Sequence, residues 1–192
     1  MLRIAVKSFL ADFKSQFIEQ LSTVIDEVRL GDVIRYKVKS KLQARDGKTD
    51  GKYPLFNSSS EQKLWVNNYL YDDETVFIPT GGKAAINYYN GKCSATTDNI
   101  CFSGTDEYLT RYIYLSLWRD LSILQKGFKG SGLQHISKEY VEDISIKAPN
   151  IEIQRKLITM AEQSDKSKFH IKKLKQMKIT IWQKGGEIYA NI

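Results

Sequence analysis

The 192-residue chain carries a net charge of +7, and hydrophobic residues make up 42% of it, so a real core can form. No apolar run approaches the ~20 residues that a membrane-spanning helix requires, and no signal peptide is recognisable. These properties argue against a membrane protein. We expect a cytoplasmic protein with one sizeable domain and an extension.

The first predicted element is a helix over residues 3–27, where large apolar residues recur at steps of three and four. Residues 30–33 end this helical region, and residues 33–38 are predicted as the first strand. A polar loop with two Asp/Gly turn signals follows over 44–52.

Short apolar runs then predict a series of strands. Asn90-Gly91 is a strong hairpin signal and is predicted to join the last two of them. The predicted strands cover residues 53–56, 64–71, 75–78, 85–89 and 92–102.

A second helix is predicted from Thr105, which can act as its N-cap, to about Lys126. The glycine-rich segment 127–132 breaks this helix, and residues 144–147 are predicted as the last strand. Asn150 can cap a third helix.

The third helix has a coiled-coil pattern that extends to about Lys184, a length of roughly 50 Å at 1.5 Å per residue. Its seam is apolar at both ends and polar in the middle, where Ser164, Ser167 and Lys178 are suited to fixing register or orientation. A helix of this kind packs against another helix, so we expect an assembly. The apolar seam residues, predicted to form a dimer contact, are Ile153, Leu157, Met160, Ile171, Leu174 and Ile181.

The positive charge is concentrated on this helix and its tail. Residues 154–192 hold nine Lys or Arg and three Asp or Glu, which accounts for +6 of the net charge. A basic helix face suits nucleic acid or an acidic protein partner, and a simple solvated face is an equal alternative.

Motifs for several kinds of catalysis are absent from the sequence. It has no P-loop, no dinucleotide-binding glycine motif and no Asn/Asp-Pro-Pro-aromatic motif of the amino-methyltransferases. Cys93 and Cys101 fit no metal spacing and are predicted to be small buried thiols. His135 and His170 have no neighbouring pattern that indicates a metal or a hydrolase.

Several short segments carry little information alone, but their order and spacing together are more specific. These segments are Lys14–Glu19, Arg29–Val33, Thr75–Gly82, Gly91–Lys92, Thr96–Asn99, Gly130–Gly132 with Ile136–Ser137, Ile144–Pro149 and Glu152–Gln154. In this order they resemble the specificity (S) subunit of type I restriction-modification systems over about residues 14–184.

The resemblance implies a domain that reads double-stranded DNA, and helices that bind methyltransferase (M) subunits and through them the restriction (R) subunit. It implies no catalysis and no cofactor for this chain. Methyl transfer to adenine and ATP-dependent cleavage belong to the partners, where S-adenosylmethionine, ATP and Mg²⁺ would bind. A full S subunit usually has two recognition domains, so this chain is expected to be a half subunit or the C-terminal half of a longer one.

The expected fold class is α+β, with a curved mixed β-sheet in one target recognition domain, a long C-terminal coiled-coil helix and a shorter N-terminal helix. The expected units are an N-terminal helix at 1–28, the recognition domain at 29–149, the dimerisation and spacer helix at 150–184 and a tail at 185–192.

Three segments and one turn have the composition of DNA contacts, because Lys and Arg suit phosphates and Gln or Arg suit base edges. For each, an ordinary solvated loop or turn is the alternative. The Gly81-Gly82-Lys83 turn is more consistent with a hairpin beside DNA than with a nucleotide cradle. The candidate contacts are Lys39, Lys41, Gln43, Arg45 and Lys48; Ser58, Ser59 and Lys63; Lys83; and Lys126, Lys129 and Ser131.

Two copies are expected to pair through antiparallel long helices and to read an interrupted palindrome on one duplex. Two other classes stay open. One is an interaction protein, such as a half subunit from a mobile element, that redirects or blocks methyltransferase subunits. The other is an enzyme with an unrecognised site.

Overall fold

The computed structural model describes residues 15–59 and 62–166 as short strands and helices. The helices are α1 (described part 15–21), α2 (Leu30–Val33), α3 (Thr110–Arg119), α4 (Ser122–Gln125), α5 (Lys138–Asp143) and α6 (described part 151–166). The strands are β1 (Glu27–Arg29), β2 (Ile34–Tyr36), β3 (Tyr53–Phe56), β4 (Leu64–Val66), β5 (Glu74–Pro79), β6 (Asn87–Asn90), β7 (Ser94–Ala95), β8 (Asn99–Gly104) and β9 (Ser145–Lys147).

The strands form two sheets and a two-stranded ribbon. An antiparallel sheet has the order β2-β8-β5-β6, and a mixed sheet has the order β4-β3-β7, in which β3 and β7 are parallel. The ribbon pairs β1 with β9 and so joins the start of the domain to its end. The predicted α+β class with mixed sheet pairing is confirmed.

The antiparallel sheet is the central layer, because its β5 strand is buried on both faces. Val76 and Ile78 belong to the larger core, which the helices complete. Phe77, between them, belongs to a smaller core and stacks on Phe56 with ring centroids 4.3 Å apart. Alternate residues of a strand point to opposite faces, so the larger core lies on the helical side and the smaller core on the β3 side.

Three helices complete the larger core on one side of the sheet. Phe17 of α1, Ile113 of α3 and Leu157 of α6 are each 0% exposed. Arg111 of α3 also forms an ion pair with Asp165 of α6 at 3.3 Å. The first turns of α6 are therefore part of the domain core.

The core position of α6 bears on the predicted dimer contact. Leu157 is already fully buried within its own chain, and Ile153 and Met160 pack partly against the same core. Leu157 is therefore used by its own domain, whereas Ile153 and Met160 keep part of their surface exposed. Their predicted contact with a second copy stays a prediction. The other predicted contacts, Ile171, Leu174 and Ile181, lie outside the described residues, as does the predicted continuation of the helix.

Gln154 joins α6 to the loop before α3, and its residue is only 1% exposed. Its Oε1 accepts a hydrogen bond from the Leu109 N–H at 2.9 Å. Its Nε2 donates to the carbonyl oxygens of Glu107 at 2.9 Å and Pro149 at 3.0 Å. One buried amide therefore satisfies three backbone groups that would otherwise be unpaired near a helix start.

The two cysteines are free and buried, as the sequence predicted. Burial raises the pKa of the Cys93 and Cys101 thiols to about 12 each. Both thiols therefore stay protonated near neutral pH and behave as small apolar groups.

The predicted helix at 3–27 is too long at its C-terminal end. The described part of α1 ends at residue 21, and residues 27–29 form β1 instead. The chain turns there because Val28 pairs with Ile146 across the ribbon. Residues 1–14 lie outside the described part of the chain.

The predicted hairpin at Asn90-Gly91 is wrong, although the chain does turn there and Gly91 has a φ of +128°. Strand β6 pairs with β5, whereas β7 pairs with β3 in the other sheet. Burial of Cys93 and Ala95 in the smaller core draws the chain across to that sheet. The predicted 92–102 strand is accordingly two strands, separated by a turn at 97–98.

Further boundaries differ from the prediction, and the helix expected to reach Lys126 is divided into α3 and α4. The helix expected from Thr105 starts at Thr110, because the chain folds back over Gly104, where an added Cβ would lie 1.9 Å from the Tyr108 carbonyl oxygen. The strand expected at 64–71 ends at residue 66. The Asn150 cap is confirmed, since its Oδ1 accepts from the Ile153 N–H at 3.0 Å.

Replacing Gln154 by Ala is expected to lower the free energy of unfolding by about 2–4 kcal/mol, because three buried backbone groups lose their partner. Urea unfolding at a fixed protein concentration measures the change. Gln125→Ala is the control: Gln125 is exposed at the end of α4, and its loss should cost under about 0.5 kcal/mol. Equal effects of the two substitutions would contradict the role given to Gln154.

Candidate nucleic-acid interface

Most of the predicted contact segments are loops that lie at one end of the antiparallel sheet. Pro79 at the end of β5 lies opposite Asn99 at the start of β8, and Asn87 at the start of β6 lies opposite Phe77. Strand β2 finishes toward the same end, with Tyr36 opposite Phe102. The antiparallel register therefore brings the loops after β2 and β5 and before β6 and β8 together. We call this region the loop end of the domain.

The loop after β5 is joined by backbone hydrogen bonds to the loop between α4 and α5. Gly82 N–H donates to the Gln134 carbonyl at 3.1 Å, and Ile136 N–H donates to the Thr80 carbonyl at 3.0 Å. The His135 ring lies 3.2 Å from the same Thr80 oxygen through Nδ1. Lys129 and His135 exchange two backbone bonds of 2.9 Å each, which closes the loop between them.

The joined loops, residues 80–83 and 129–136, bring together three of the predicted contacts. Lys83, Lys129 and Ser131 all have exposed side chains. Gly82 and Gly130 have positive φ values of +92° and +137°, which a side chain would strain. Glycine is therefore required for the tight turns that place the two lysines at the same end of the sheet.

The long loop after β2 supplies the largest predicted set. Its chain is fixed to the loop end by a bond from Thr97 N–H to the Leu42 carbonyl at 2.8 Å. A short 3-10 turn at Ala44–Asp46 follows, in which the Asp46 carboxylate accepts from the Gln43 N–H at 2.7 Å. The predicted side chains are all exposed, namely Lys39, Lys41, Gln43, Arg45 and Lys48.

A groove of about 340 Å³ connects this loop to the turn after β5. Lys39 lines it on one side and Thr80 on the other, with Asn99 also in its wall. Lys138 contributes a further positive charge and lies 3.9 Å from the centroid of the Tyr36 ring. The groove thus combines the positive charges of its lysines with apolar and aromatic surface, such as that of Ile100 and Tyr71.

The segment at residues 57–63 lies at the same end of the sheet but has a more local role. Ser59 N–H donates to Asn57 Oδ1 at 3.0 Å, which forms a side-chain-to-backbone turn. Asn87 at the start of β6 donates to the Ser59 carbonyl at 3.4 Å. Ser58 and Lys63 are exposed, and residues 60–61 lie outside the described chain.

Lys126 is placed apart from the joined loops. It lines a separate cleft with Tyr140, Asp143 and Ser145. The sequence had grouped Lys126 with Lys129, whereas the structure groups Lys129 with Lys83.

The loop end has a composition typical of a site for a polyanion such as a nucleic acid. Lysines provide charge for phosphates, and exposed Gln and Arg side chains can reach base edges. Within residues 15–59 and 62–166, no cluster of His, Cys, Asp and Glu is arranged to hold a metal ion. In the same part of the chain, no helix is long and apolar enough to cross a membrane.

Two further exposed residues of the joined loops were not among the predicted DNA contacts. Leu133 is 68% exposed, and Gln134 beside it is also exposed. The available signal was an apolar residue in a segment otherwise made of Gly, Ser, Lys and Gln.

The fold defines an α+β domain with basic loops at one sheet end and a helical layer on one side. The profile of the family described as type I restriction modification DNA specificity domain matches residues 25–181. The chain belongs to this family.

Individual relatives agree with this assignment. The type I restriction enzyme EcoDI specificity subunit of Escherichia coli is 26% identical over 154 residues, covering 78% of this chain and 34% of that protein. The crystal structure of a type I restriction-modification S subunit from M. genitalium matches with a TM-score of 0.69 and 17% identity, over 93% of this chain and 53% of that one.

A second solved structure has the same fold. The HsdS subunit from Thermoanaerobacter tengcongensis matches with a TM-score of 0.63 and 16% identity, over 90% of this chain and 47% of that one. The chain thus spans about half the length of these solved subunits and about a third of the curated relative.

Replacing both Lys83 and Lys129 by Ala is expected to weaken DNA binding and to reduce the slope of log K against log salt by about 2. Each phosphate contact contributes about 0.9 to that slope, because it releases condensed counterions. Titrations at several salt concentrations measure it.

The matched control removes two cations from the exposed face of α6, in the variant Arg155→Ala with Lys156→Ala. This control variant lowers the net charge by the same amount. If the joined loops contact DNA, the Lys83/Lys129 variant must therefore lose more affinity than the control. The same slope in the wild-type chain and the Lys83/Lys129 variant would remove these loops from the interface.

Proposed function

We propose that this chain recognises a specific double-stranded DNA sequence as the non-catalytic specificity subunit of a type I restriction-modification system. The observation that carries the proposal is the convergence of the basic loops at one sheet end. Lysines of the loop after β2 and of the joined loops are then placed to bind one ligand together. Ordinary solvated loops would have no reason to place their lysines at the same end of the sheet. Family membership supports the same function.

Residues 29–149 are proposed as the target recognition domain and residues 150–184 as the spacer and dimerisation helix. The β1–β9 ribbon supports the first boundary, because it pairs residues 27–29 with 145–147 and closes the domain. Residues 1–28 are then proposed as the N-terminal unit, of which α1 is the described helix, and residues 185–192 as a tail.

The partners in this proposal are methyltransferase subunits and, through them, the restriction subunit. Their task is adenine methylation and ATP-dependent cleavage, with S-adenosylmethionine, ATP and Mg²⁺ bound on those subunits. The helical layer of α1 and α6 is the surface proposed for them, since it lies on the face of the sheet away from the second sheet. The specificity subunit contributes recognition and position.

Two copies of the chain are proposed to pair through antiparallel long helices. A two-fold pair places two identical recognition domains on one duplex, and such a pair reads inverted half-sites. Because Leu157 is buried in its own domain, the proposed contact between the two copies uses other residues of the helix. The interval between the half-sites then depends on the helix length.

Co-expression of the chain with its methyltransferase subunit is expected to produce a new adenine-methylation motif in genomic DNA. In the two-copy form the motif is an interrupted palindrome, and cells without the chain lack it. Sequencing that detects N6-methyladenine provides the measurement.

The outcomes separate the alternatives. A non-palindromic bipartite motif would keep the specificity function but replace the two-copy pairing by a different second recognition domain. Stable complex formation with no new methylation would instead favour an interaction protein that blocks or redirects the methyltransferase.

Deleting the heptad Ser167–Lys173 is expected to shorten the interval between half-sites by about 3 base pairs. Seven helical residues span about 10 Å, and each base pair rises about 3.4 Å. A seven-residue deletion preserves the phase of the seam, so pairing is retained. Methylation mapping of the variant measures the interval.

The control for this deletion removes seven residues of the proposed tail, Gly185–Asn191. It should leave the interval unchanged. An interval that stays fixed in the heptad variant while affinity changes would rule out the helix as a ruler.

A further inference from the structure

Leu133 is an exposed apolar side chain within a polar, basic loop. It is 68% exposed, and the neighbouring residues Gly130, Ser131, Gly132 and Gln134 are exposed as well. A loop that only bound phosphates would need cations and backbone N–H groups and would have no use for a leucine.

The loop holds Leu133 in one place, which distinguishes it from a surface leucine on a mobile segment. The Lys129–His135 backbone pair closes the loop at its base, and the Gly82–Gln134 bond fixes the residue next to Leu133. A Cβ added to Gly81 would lie 3.9 Å from Leu133 Cδ2, so the side chain rests beside the β5 turn.

The surroundings of Leu133 indicate which ligand it meets. Lys129 lies in the same loop, and Lys83 lies in the turn bonded to it, so the joined loops that hold the leucine also carry two exposed charges suited to phosphates. Among the base edges in the major groove, the 5-methyl group of thymine is the apolar one.

We propose that Leu133 is a specificity-determining residue that contacts the 5-methyl group of a thymine in the target sequence. This inference rests on the proposed DNA recognition and adds a residue and a base to it. The flanking lysines hold the loop in the groove, and the leucine discriminates thymine from bases that lack a methyl group at that position.

The test replaces each thymine of the mapped target by deoxyuridine, one at a time, since uracil keeps the base pair and lacks only the methyl group. The chain assembled with its methyltransferase subunit is titrated with each duplex. At one thymine in the half-site, wild-type affinity is expected to fall about fourfold, the equivalent of one buried methyl group.

A double-mutant cycle assigns that loss to Leu133. Leu133→Ala is expected to bind the thymine duplex about fourfold more weakly than wild type and to bind the thymine and uracil duplexes equally. Leu133→Met, which keeps an apolar side chain of similar size, is expected to keep discriminating between the two duplexes.

The matched control is Ile25→Ala, because Ile25 is 88% exposed and lies beside the β1–β9 ribbon rather than at the loop end. This variant should retain the full fourfold discrimination. It shows whether loss of any exposed apolar side chain changes binding.

Three results would overturn the inference while leaving DNA recognition intact. They are a target with no specified thymine, wild-type affinity unaffected by uracil at every thymine, and unchanged discrimination in Leu133→Ala. If the wild-type complex does not prefer the mapped target over a scrambled duplex, the proposed function fails and this inference fails with it.

Discussion

Burial of β5 on both of its faces is the constraint on which the rest of the domain depends. Val76, Phe77 and Ile78 are each 0% exposed, so neither a helical layer nor a second sheet can be removed without exposing one face. Side-chain direction alternates along a strand, and a shift of one residue would exchange the two cores. The register with β6 and β8 is therefore fixed, and that register decides which loops share the basic end. The proposed DNA-binding surface is in this sense a consequence of core packing on a strand that has no exposed face.

The joint between the domain and α6 depends on Gln154 in a similar way. Helix α6 contributes Leu157 and Ala161 to the core, and the amide of Gln154 connects its first turn to the loop before α3. Apolar burial provides affinity between these elements without fixing their direction. Three directional hydrogen bonds at a buried position define the angle at which α6 leaves the domain. A helix that acts as a spacer needs such a fixed origin, because a loose joint would blur the distance it sets.

Local sequence patterns predicted the elements that are stabilised by interactions between residues close together in the chain. The 53–56 strand and the Asn150 cap are confirmed because a short apolar run and a capping side chain act within a few residues. Asn90-Gly91 does not form the predicted hairpin, because Cys93 is buried in the smaller core among residues that are distant in sequence. That burial outweighs the local turn preference. The residue types of the loop end were predictable, but their convergence was not, since it follows from strand register. Leu133 was not predicted as a contact, because its candidacy depends on the exposure of its side chain, and no local sequence pattern encodes that exposure.

The packing of α6 also limits how two copies can meet. Its stripe of Gln154, Leu157, Ala161 and Ser164 has the three- and four-residue spacing of a coiled-coil seam, yet these residues are buried in their own domain. Such a seam serves one partner at a time, and the fold already buries about three turns of it. Pairing between copies therefore requires either a later part of the predicted seam or a different stripe of the same helix. In the first case the proposed pairing gives one helix two successive functions, which are to anchor the recognition domain near its start and to set the distance to a second domain beyond it.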